Sequence, residues 1–568
     1  MSTDEVSSRQ PSPQEGEAPP QLNQWIRAGD PWIWLTAGAV TLSLVAVVGL
    51  LLLLAVRGLG HFWPANVVAA SYAEANGQIV PLLGEIIESE EVSGTRARDS
   101  GYAVTAPHVT RLLIKLGNRD SDGQDFRTVL AERLTDRRYP LNVMVLERRE
   151  WGNFYGFLAA VKEQGRVVAS GEQAWPVLQE RLARALALFE EIRTLERGSI
   201  GTINYAMERL RLKERRLTLD DALTAEAQAE LTSSRAELEN RYTGLQETLT
   251  QLYSAIKRDT LVGQLADGRE VEISLAKVVR AYRPNEMGTG DKIGSYLTRF
   301  WEFVSDEPRE SNTEGGIFPA IFGTVLMVLI MAILVTPMGV MAAVYLREYA
   351  KQGPLTRLIR IAVNNLAGVP SVVYGVFGLG FFVYFLGGRI DQTFFPEALP
   401  SPTFGTPGLL WSSLTLALLT LPVVIVATEE GLTRIPRAIR EGSLALGATQ
   451  AETLWRVVLP MAAPGMMTGL ILAVARAAGE VAPLMMVGVV KLAPALPLDG
   501  NFPYLHLDRK LMHMGFHIYD VGFQSPNVEA ARPLVYATAF LLVMVIVVLN
   551  LAAIRIRSRL RERYRSTE

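Results

Sequence analysis

The chain contains no cysteine among its 568 residues, which excludes disulfides, thiolate metal sites and cysteine nucleophiles. It also lacks a G-x-x-x-x-G-K-[ST] loop, and no Gly-Lys dipeptide occurs anywhere, so the chain has no P-loop of its own for ATP. The formal charge of −2, without a free basic patch, argues against a bulk nucleic-acid binder. We therefore expect no catalytic residues, no cofactor and no nucleic-acid partner.

Charged side chains are also missing from several long stretches. Trp32 to Val56 holds 25 residues without a charge, enough to cross a hydrocarbon core of about 30 Å. Five more apolar runs follow, at about 317–345, 361–386, 409–428, 466–489 and 533–554. The pattern predicts an α-helical membrane protein with six transmembrane helices and a large soluble insertion.

These runs divide the chain into segments. We predict a disordered tail at 1–31, a first transmembrane helix at 32–56, an insertion at 57–315, a helical membrane core at 316–556 and a basic tail at 557–568. Lys and Arg are frequent in the loops 346–360 and 429–465 and in the C-terminal tail, which places both termini in the cytoplasm and the insertion outside. The loop at 490–532 is the exception, because it carries Lys491, Arg509, Lys510 and Arg532.

The insertion contains two kinds of secondary-structure signal. β signals fill 67–170 and 259–285, where Asp267-Gly268 predicts a hairpin turn. Between them, 174–258 shows apolar stripes typical of a coiled-coil hairpin, namely Leu178, Leu182, Ala185, Phe189 and Ile192, then Leu238, Tyr242, Leu245, Leu249, Leu252 and Ile256. Thr218 and Asp221 fit a capping box that predicts a helix start near 219. Both a rigid scaffold and a docking arm for a partner fit this hairpin.

A polar segment in the membrane core, EGSLALGATQAETLWRVVLP, begins at Glu441. Gly447 is expected to interrupt one helix, and the pair Leu459-Pro460 to end a second. Pro464-Gly465 would then let the chain turn into the next span. The segment predicts a short cytoplasmic helix-turn-helix suited to a groove of a soluble partner, within a loop at 434–465.

This spacing resembles the EAA coupling loop of ABC importer permeases, although Gly442 and Ser443 stand where the family usually has alanine. NNLAGVPSVVYGVFGLGFFV (364–383) and ARAAGEVAPLM (475–485) are similar to phosphate-specific permeases, and the order of spans resembles their A-type subunit. The likeness covers about 316–556 and says nothing about the insertion.

The resemblance implies a type I ABC importer permease core in the bacterial inner membrane, with the insertion in the periplasm. The implied partners are a homologous C-type permease, two copies of an ATPase that binds the ATP, and a periplasmic phosphate-binding protein. Glu441, Gly447, Leu459 and Pro460 would then couple the chain to the ATPase.

Arg476 and Glu480 stand out because a charge inside a span costs roughly 2.5–3.5 kcal/mol on insertion scales. At i and i+4 they are expected to share one helical face and to pair. The planar fork of Arg suits a phosphate oxyanion, so Arg476 would draw the anion in. Glu480 would hold Arg476 in place and keep the anion from binding too tightly to leave. Asn365 is a further candidate for the path. An ion pair that only fixes helix packing explains the same residues.

Two other functions stay open at this level. One is a non-transporting ABC-type scaffold that acts through the external coiled coil, and the other is a permease for molybdate or sulfate. The five histidines, including His513 and His517, form no recognisable ligand set, so no metal site is expected.

Overall fold

The structure is a computed structural model, and it describes residues 29–74, 76–99, 104–525 and 528–565. Residues 1–28 of the predicted tail lie outside this range. The chain divides into two compact units, Met1–Val56 and Arg57–Glu568.

Six helices in the described residues are long and apolar enough to cross a membrane, as the sequence predicts. They are span 1 Pro31–Gly60, span 2 Phe318–Tyr349, span 3 Ser371–Phe394, span 4 Leu409–Thr433, span 5 Gln450–Gly479 and span 6 Ala531–Arg559. The other helices are Gly94–Asp99, Arg119–Asp122, Ala174–Thr194, Gly201–Leu219, Ala225–Ile256, Thr289–Ser305, Pro354–Leu366, Arg437–Ala445, Leu484–Val487 and Met514–Tyr519.

Span 3 begins ten residues later than the predicted 361–386. The apolar run is split between a separate helix, Pro354–Leu366, and the span itself, with a break that ends at Pro370. Proline has no N–H to donate and disfavours helical backbone at the residue before it, so a helix cannot run through this point without loss.

Span 5 also differs from its prediction at both ends. The expected stop at Pro460 and turn at Pro464-Gly465 are wrong, because one helix runs from Gln450 to Gly479 through both prolines. A π-turn at Leu454–Val458 directly precedes Pro460 and changes the backbone hydrogen-bond register there. The predicted span 466–489 therefore ends early, and Glu480 already has extended backbone, with φ −79° and ψ 133°.

Span 4 lies at the centre of the membrane part and packs against spans 2 and 5. Spans 4 and 5 meet at glycines: a Cβ atom added to Gly465 would lie 2.7 Å from the Cα atom of Gly431. Small residues let helix backbones approach closely in a membrane, where apolar burial does not drive association. This contact fixes the axial register of spans 4 and 5.

We predict that Gly465→Ala lowers the thermal stability of the purified protein, because the two backbones must separate or strain. Overpacking of this kind costs about 1–3 kcal/mol. Gly380→Ala in span 3 is the matched control, since a Cβ atom there meets nothing within 4 Å. A scan of unfolding temperature for both variants checks the prediction, and equal temperatures would contradict it.

The described residues between 61 and 315, called the lobe below, contain two large antiparallel sheets and a short two-stranded one, in which Pro308–Arg309 pairs with Glu314–Gly315. The strands of the two large sheets are β1 Val67–Ala73, β2 Ile79–Ser93, β3 His108–Lys115, β4 Phe126–Leu130, β5 Leu134–Arg138, β6 Val143–Arg148, β7 Phe154–Glu163, β8 Arg166–Ser170, β9 Asp259–Gln264, β10 Glu270–Ser274 and β11 Val278–Tyr282. The first sheet has the order β4-β3-β2-β1-β5, and the second β10-β9-β7-β6-β11 with β8 on β7. Strands β9 and β10 pair across Asp267-Gly268, as the sequence predicts.

Two long helical segments stand between β8 and β9: the first consists of Ala174–Thr194 and Gly201–Leu219, joined without a break by the π-helical turns Leu195–Ile200, and the second is Ala225–Ile256. The predicted start near 219 is wrong, because Thr218 lies in the last turn of a helix and donates its hydroxyl to the Glu214 carbonyl. The next helix begins at Ala225, where the Thr224 hydroxyl accepts from the backbone N–H of Ala227.

The first apolar stripe packs on the second sheet as well as on the last helix. Leu178, Leu182, Ala185, Ile192 and Ile256 are buried in one core with Phe154 and Leu261 from the strands, and Leu249 and Leu252 border the same core. The stripe thus anchors the helices to the sheet, and a coiled coil stays a prediction.

The helix Gly201–Leu219, called the helical arm, lies against the membrane part. It contacts the turn Pro396–Ala398, and the Tyr205 hydroxyl donates to the Phe502 carbonyl. Span 2 starts at Phe318 beside the lobe and ends at Tyr349, where Glu348 pairs with Arg440. The lobe and the segment around Arg440 therefore lie at opposite ends of span 2.

Candidate functional site

The first part of the site is the polar hairpin, residues 434–460. Helix Arg437–Ala445 ends before Gly447, whose φ of +90° few other residues adopt, so the predicted interruption is confirmed. The next helix starts with a capping box, in which Thr449 and Glu452 satisfy each other's backbone N–H groups. Glycine and cap together set the angle between the two helices.

One side of the polar hairpin is fixed to the membrane part. Ile435, Leu454 and Val458 are buried together with Val344 of span 2. Arg440 pairs with Glu348 at 3.1 Å and donates to the Leu432 carbonyl at 2.8 Å, which ties the hairpin to spans 2 and 4. The Ser443 and Thr453 hydroxyls, 2.9 Å apart, join its two helices.

The other side of the polar hairpin is exposed and carries large apolar residues. Leu446 is 92% exposed and Trp455 68%, and Glu441 is also exposed. Leu459 is buried and Pro460 half-buried, so these two support the hairpin from within. Sequence reasoning missed Leu446 and Trp455, although two large apolar residues in a polar helical segment were a readable sign. An exposed apolar patch of this kind marks a partner surface.

The second part of the site is the end of span 5. Gly465 lies beside Gly431 and Gly469 beside Ala427, so spans 4 and 5 run antiparallel in register. Arg476 lies seven residues beyond Gly469, so in this register it is level with residue 420 of span 4. Span 4 runs from 409 to 433, so Arg476 lies near the middle of the membrane.

Glu480 pairs with Arg476 at 3.5 Å between Oε1 and Nε, although it lies beyond the helix. The predicted pairing is present, but the shared helical face is not, because the helix has ended. Both side chains are partly exposed. Leu472, Arg476 and Gly479 lie on one exposed face of span 5. The terminal Nη groups of Arg476 make no hydrogen bond to the residues that the structure describes.

Residues 480–490, called the break segment, are an irregular chain at membrane depth apart from the short helix Leu484–Val487. Irregular backbone is tolerated there only where protein buries it or a cavity lies beside it. Span 3 covers the break segment closely, since a Cβ atom on Gly375 would lie 2.8 Å from the Cα atom of Pro483. The Gly408 N–H donates to the Val487 carbonyl at 2.9 Å, which ties the segment to the start of span 4.

Asn365 lies on the helix Pro354–Leu366, outside span 3, and its side chain is exposed. The structure does not join it to Arg476 by a hydrogen bond within the described residues. Its neighbour Leu366 accepts from the Tyr374 hydroxyl at 2.6 Å, and Tyr374 in turn lies within electrostatic range of Arg476. Asn365 is thus near the break segment only through this tyrosine.

The histidines of the loop after the break segment are buried. Burial lowers the pKa of His513 to about 4 and that of His517 to about 4, so both are neutral at physiological pH. Over the described ranges, no three His, Asp or Glu side chains are grouped so that they could hold a metal ion.

Comparison with known proteins places this site in a family. Residues 335–566 match the family described as "binding-protein-dependent transport system inner membrane component". The chain is 36% identical over 247 residues to the phosphate transport system permease protein PstA 1 of Mycobacterium tuberculosis (strain CDC 1551 / Oshkosh), over 43% of this chain and 71% of that protein. It is 30% identical over 251 residues to the phosphate transport system permease protein PstA of Yersinia pestis, over 44% of this chain and 75% of that protein.

Among solved structures, an inward-facing MetNI methionine ABC transporter aligns over 42% of this chain and 94% of its own, at 19% identity and a TM-score of 0.32. The family match begins after the lobe, so the lobe lies outside it. The polar hairpin and the end of span 5 both lie inside it. With 36% identity across 71% of the Mycobacterium tuberculosis protein, the chain belongs to the family of binding-protein-dependent transport system inner membrane components.

Proposed function

We propose that this chain is a permease subunit of an ATP-driven ABC importer that moves inorganic phosphate into the cytoplasm. The observation that carries the proposal is span 5, a single helix that holds Trp455 of the polar hairpin at one end and Arg476 at the other. The phosphate assignment is supported by the relatives, which are named as phosphate permeases.

In this proposal the exposed side of the polar hairpin binds an ATPase subunit. Leu446 and Trp455 supply an apolar anchor, and Glu441 a charge beside it. The chain is a transport subunit and not an enzyme, it holds no cofactor, and ATP is bound by the partner. A homologous C-type permease and a periplasmic phosphate-binding protein complete the importer.

Span 5 then works as a lever. Trp455 and Arg476 are 21 residues apart in one unbroken helix, about 30 Å, which contains the π-turn Leu454–Val458 and both prolines. A tilt that the ATPase imposes at Trp455 moves Arg476 directly. The open face of Leu472, Arg476 and Gly479 is where the second permease would enclose the path.

At Arg476, the two terminal amino groups are free to form parallel hydrogen bonds to two phosphate oxygens. Glu480 faces the Nε side of the guanidinium, so it orients the fork without occupying it. Its negative charge also weakens the hold on the anion, which favours release.

The basic loops support an orientation with the polar hairpin and both termini in the cytoplasm. Since the lobe lies at the other end of span 2, it would face the periplasm. The helical arm, which rests on the turn Pro396–Ala398, would then stand at the entry side, where a binding protein delivers its ligand.

The test is uptake by the full chain, coexpressed with the neighbouring transport genes and reconstituted in vesicles with radiolabelled phosphate. We expect ATP-dependent uptake that excess molybdate or sulfate does not suppress. Uptake of labelled molybdate or sulfate without uptake of labelled phosphate would contradict phosphate as the substrate. ATP hydrolysis without uptake of any oxyanion would instead indicate a non-transporting scaffold.

A further inference from the structure

The helix Thr289–Ser305 precedes span 2 and has two different apolar faces. One face packs into protein: Phe303 is buried, and Tyr296 and Phe300 border the same core. Phe62 stacks edge-on against Phe300 with ring centroids 5.6 Å apart. This face fastens the helix to the base of the lobe.

The second apolar face is uncovered. Ile293, Leu297 and Trp301 follow one another at four-residue steps, and they are 49%, 60% and 69% exposed. Side chains at this spacing form one stripe along a helix. Large apolar residues seldom line up on the surface of a soluble domain without a partner.

The polar face holds the helix in this orientation. Arg299 pairs with Glu147 at 2.9 Å, and Lys292 donates to the Asn66 side chain at 2.6 Å. A third pair joins Glu302 to Arg280. With these contacts on the opposite side, the helix cannot rotate to bury the stripe in the lobe.

The position of this helix along the membrane normal is set by the hydrophobic core that it shares with spans 2 and 6. Phe303 packs with Ile317 and Ala320 at the start of span 2 and with Ala531 and Leu534 at the start of span 6. These are the ends of two membrane helices on the lobe side. The stripe therefore continues the apolar surface of the spans at the level of the lipid headgroups, and its most exposed residue is a tryptophan, as in interfacial belts.

We propose that the helix Thr289–Ser305 lies in the bilayer surface on the lobe side, with Ile293, Leu297 and Trp301 inserted among the lipids. An amphipathic helix of this kind is buried about 5–10 Å into the boundary of headgroups and acyl chains. It anchors the lobe to the membrane beside span 2. The proposal rests on the membrane spans and on no particular substrate.

The absence of cysteine makes the test direct, because one introduced cysteine is the only thiol of this chain, and the complex with the unaltered chain gives the labelling background of its partners. Leu297→Cys is compared with Thr298→Cys, which is exposed and about 100° further round the same helix. Each full-length variant, in the complex that it forms in membranes, is labelled with an environment-sensitive fluorophore and placed in nanodiscs. Nitroxide lipids labelled on the upper acyl chain report lipid contact, and aqueous iodide reports exposure to water.

We expect the label at 297 to be quenched by nitroxide lipid about twofold or more above the label at 298, because only the first is inserted. Iodide should give the opposite order. Equal iodide quenching at both positions, without quenching by nitroxide lipid, would overturn the proposal. Shielding of 297 from iodide without quenching by nitroxide lipid would overturn it as well, since it would assign the stripe to a protein partner.

Discussion

Arg476→Gln is expected to remove most phosphate uptake while complex assembly and ATP hydrolysis persist. Glutamine keeps a polar side chain at this depth but loses both the charge and the forked donors. A hydrogen bond to a charged group is worth about 1.5–3 kcal/mol, which corresponds to a loss of roughly 10- to 150-fold. Radiolabelled uptake and ATPase rate, measured on the same vesicles, separate transport from coupling.

Two variants control this experiment. Arg476→Lys keeps the charge without the planar fork and should give intermediate uptake. Arg389→Gln removes an exposed arginine at the end of span 3 and should leave uptake unchanged. Normal uptake by the Arg476→Gln importer would show that the pair with Glu480 only fixes packing.

Leu446→Ser should separate the permease from its ATPase without harm to the fold. The side chain is 92% exposed, so its loss removes almost no packing within the chain. Central apolar anchors of an interface cost about 2 kcal/mol or more when truncated, roughly 30-fold in affinity. The fraction of ATPase that copurifies, together with ATP-dependent uptake, measures the effect, and Trp455→Ala should act in the same way.

Leu219→Ser is the matched control, because Leu219 is 53% exposed at the end of the helical arm. It changes the same residue type in the lobe, which lies at the other end of span 2 from the polar hairpin, and should leave ATPase binding unaffected. If the Leu446→Ser permease retains its ATPase like the unaltered chain, the polar hairpin is not the binding surface. Unfolding temperatures of both variants show whether the fold is intact.

The structure of the membrane part can be predicted from the sequence wherever a single local signal determines the backbone. Apolar runs of sufficient length predict all six spans, and Gly447 predicts the interruption of the polar hairpin because few residues other than glycine adopt its backbone. The end of span 5 does not follow, since 481–490 is apolar and reads as more helix. The segment 481–490 does not continue the helix, because it packs closely against Gly375 and Gly408 instead. Such contacts between distant segments leave no periodic pattern in the sequence.

Proline and threonine mislead for a related reason. Pro460 and Pro464 are strong helix breakers in isolation, yet the neighbouring spans and a π-turn hold the helix together. Thr218 and Thr224 are both credible caps, and the choice of Thr224 depends on how far the helical arm extends. In the lobe, β7 pairs with β9 across the whole helical region, which local patterns cannot reveal.

The early end of span 5 also changes the electrostatics of the anion path. Carbonyls at a helix C-terminus lack helical partners and carry about half a negative charge in sum. Here that end lies next to Arg476 and Glu480, so one positive charge faces a full and a partial negative charge. In the proposed importer the surrounding negative charge therefore lowers the affinity of Arg476 for phosphate. The anion would be held only briefly, which suits a path rather than a storage site.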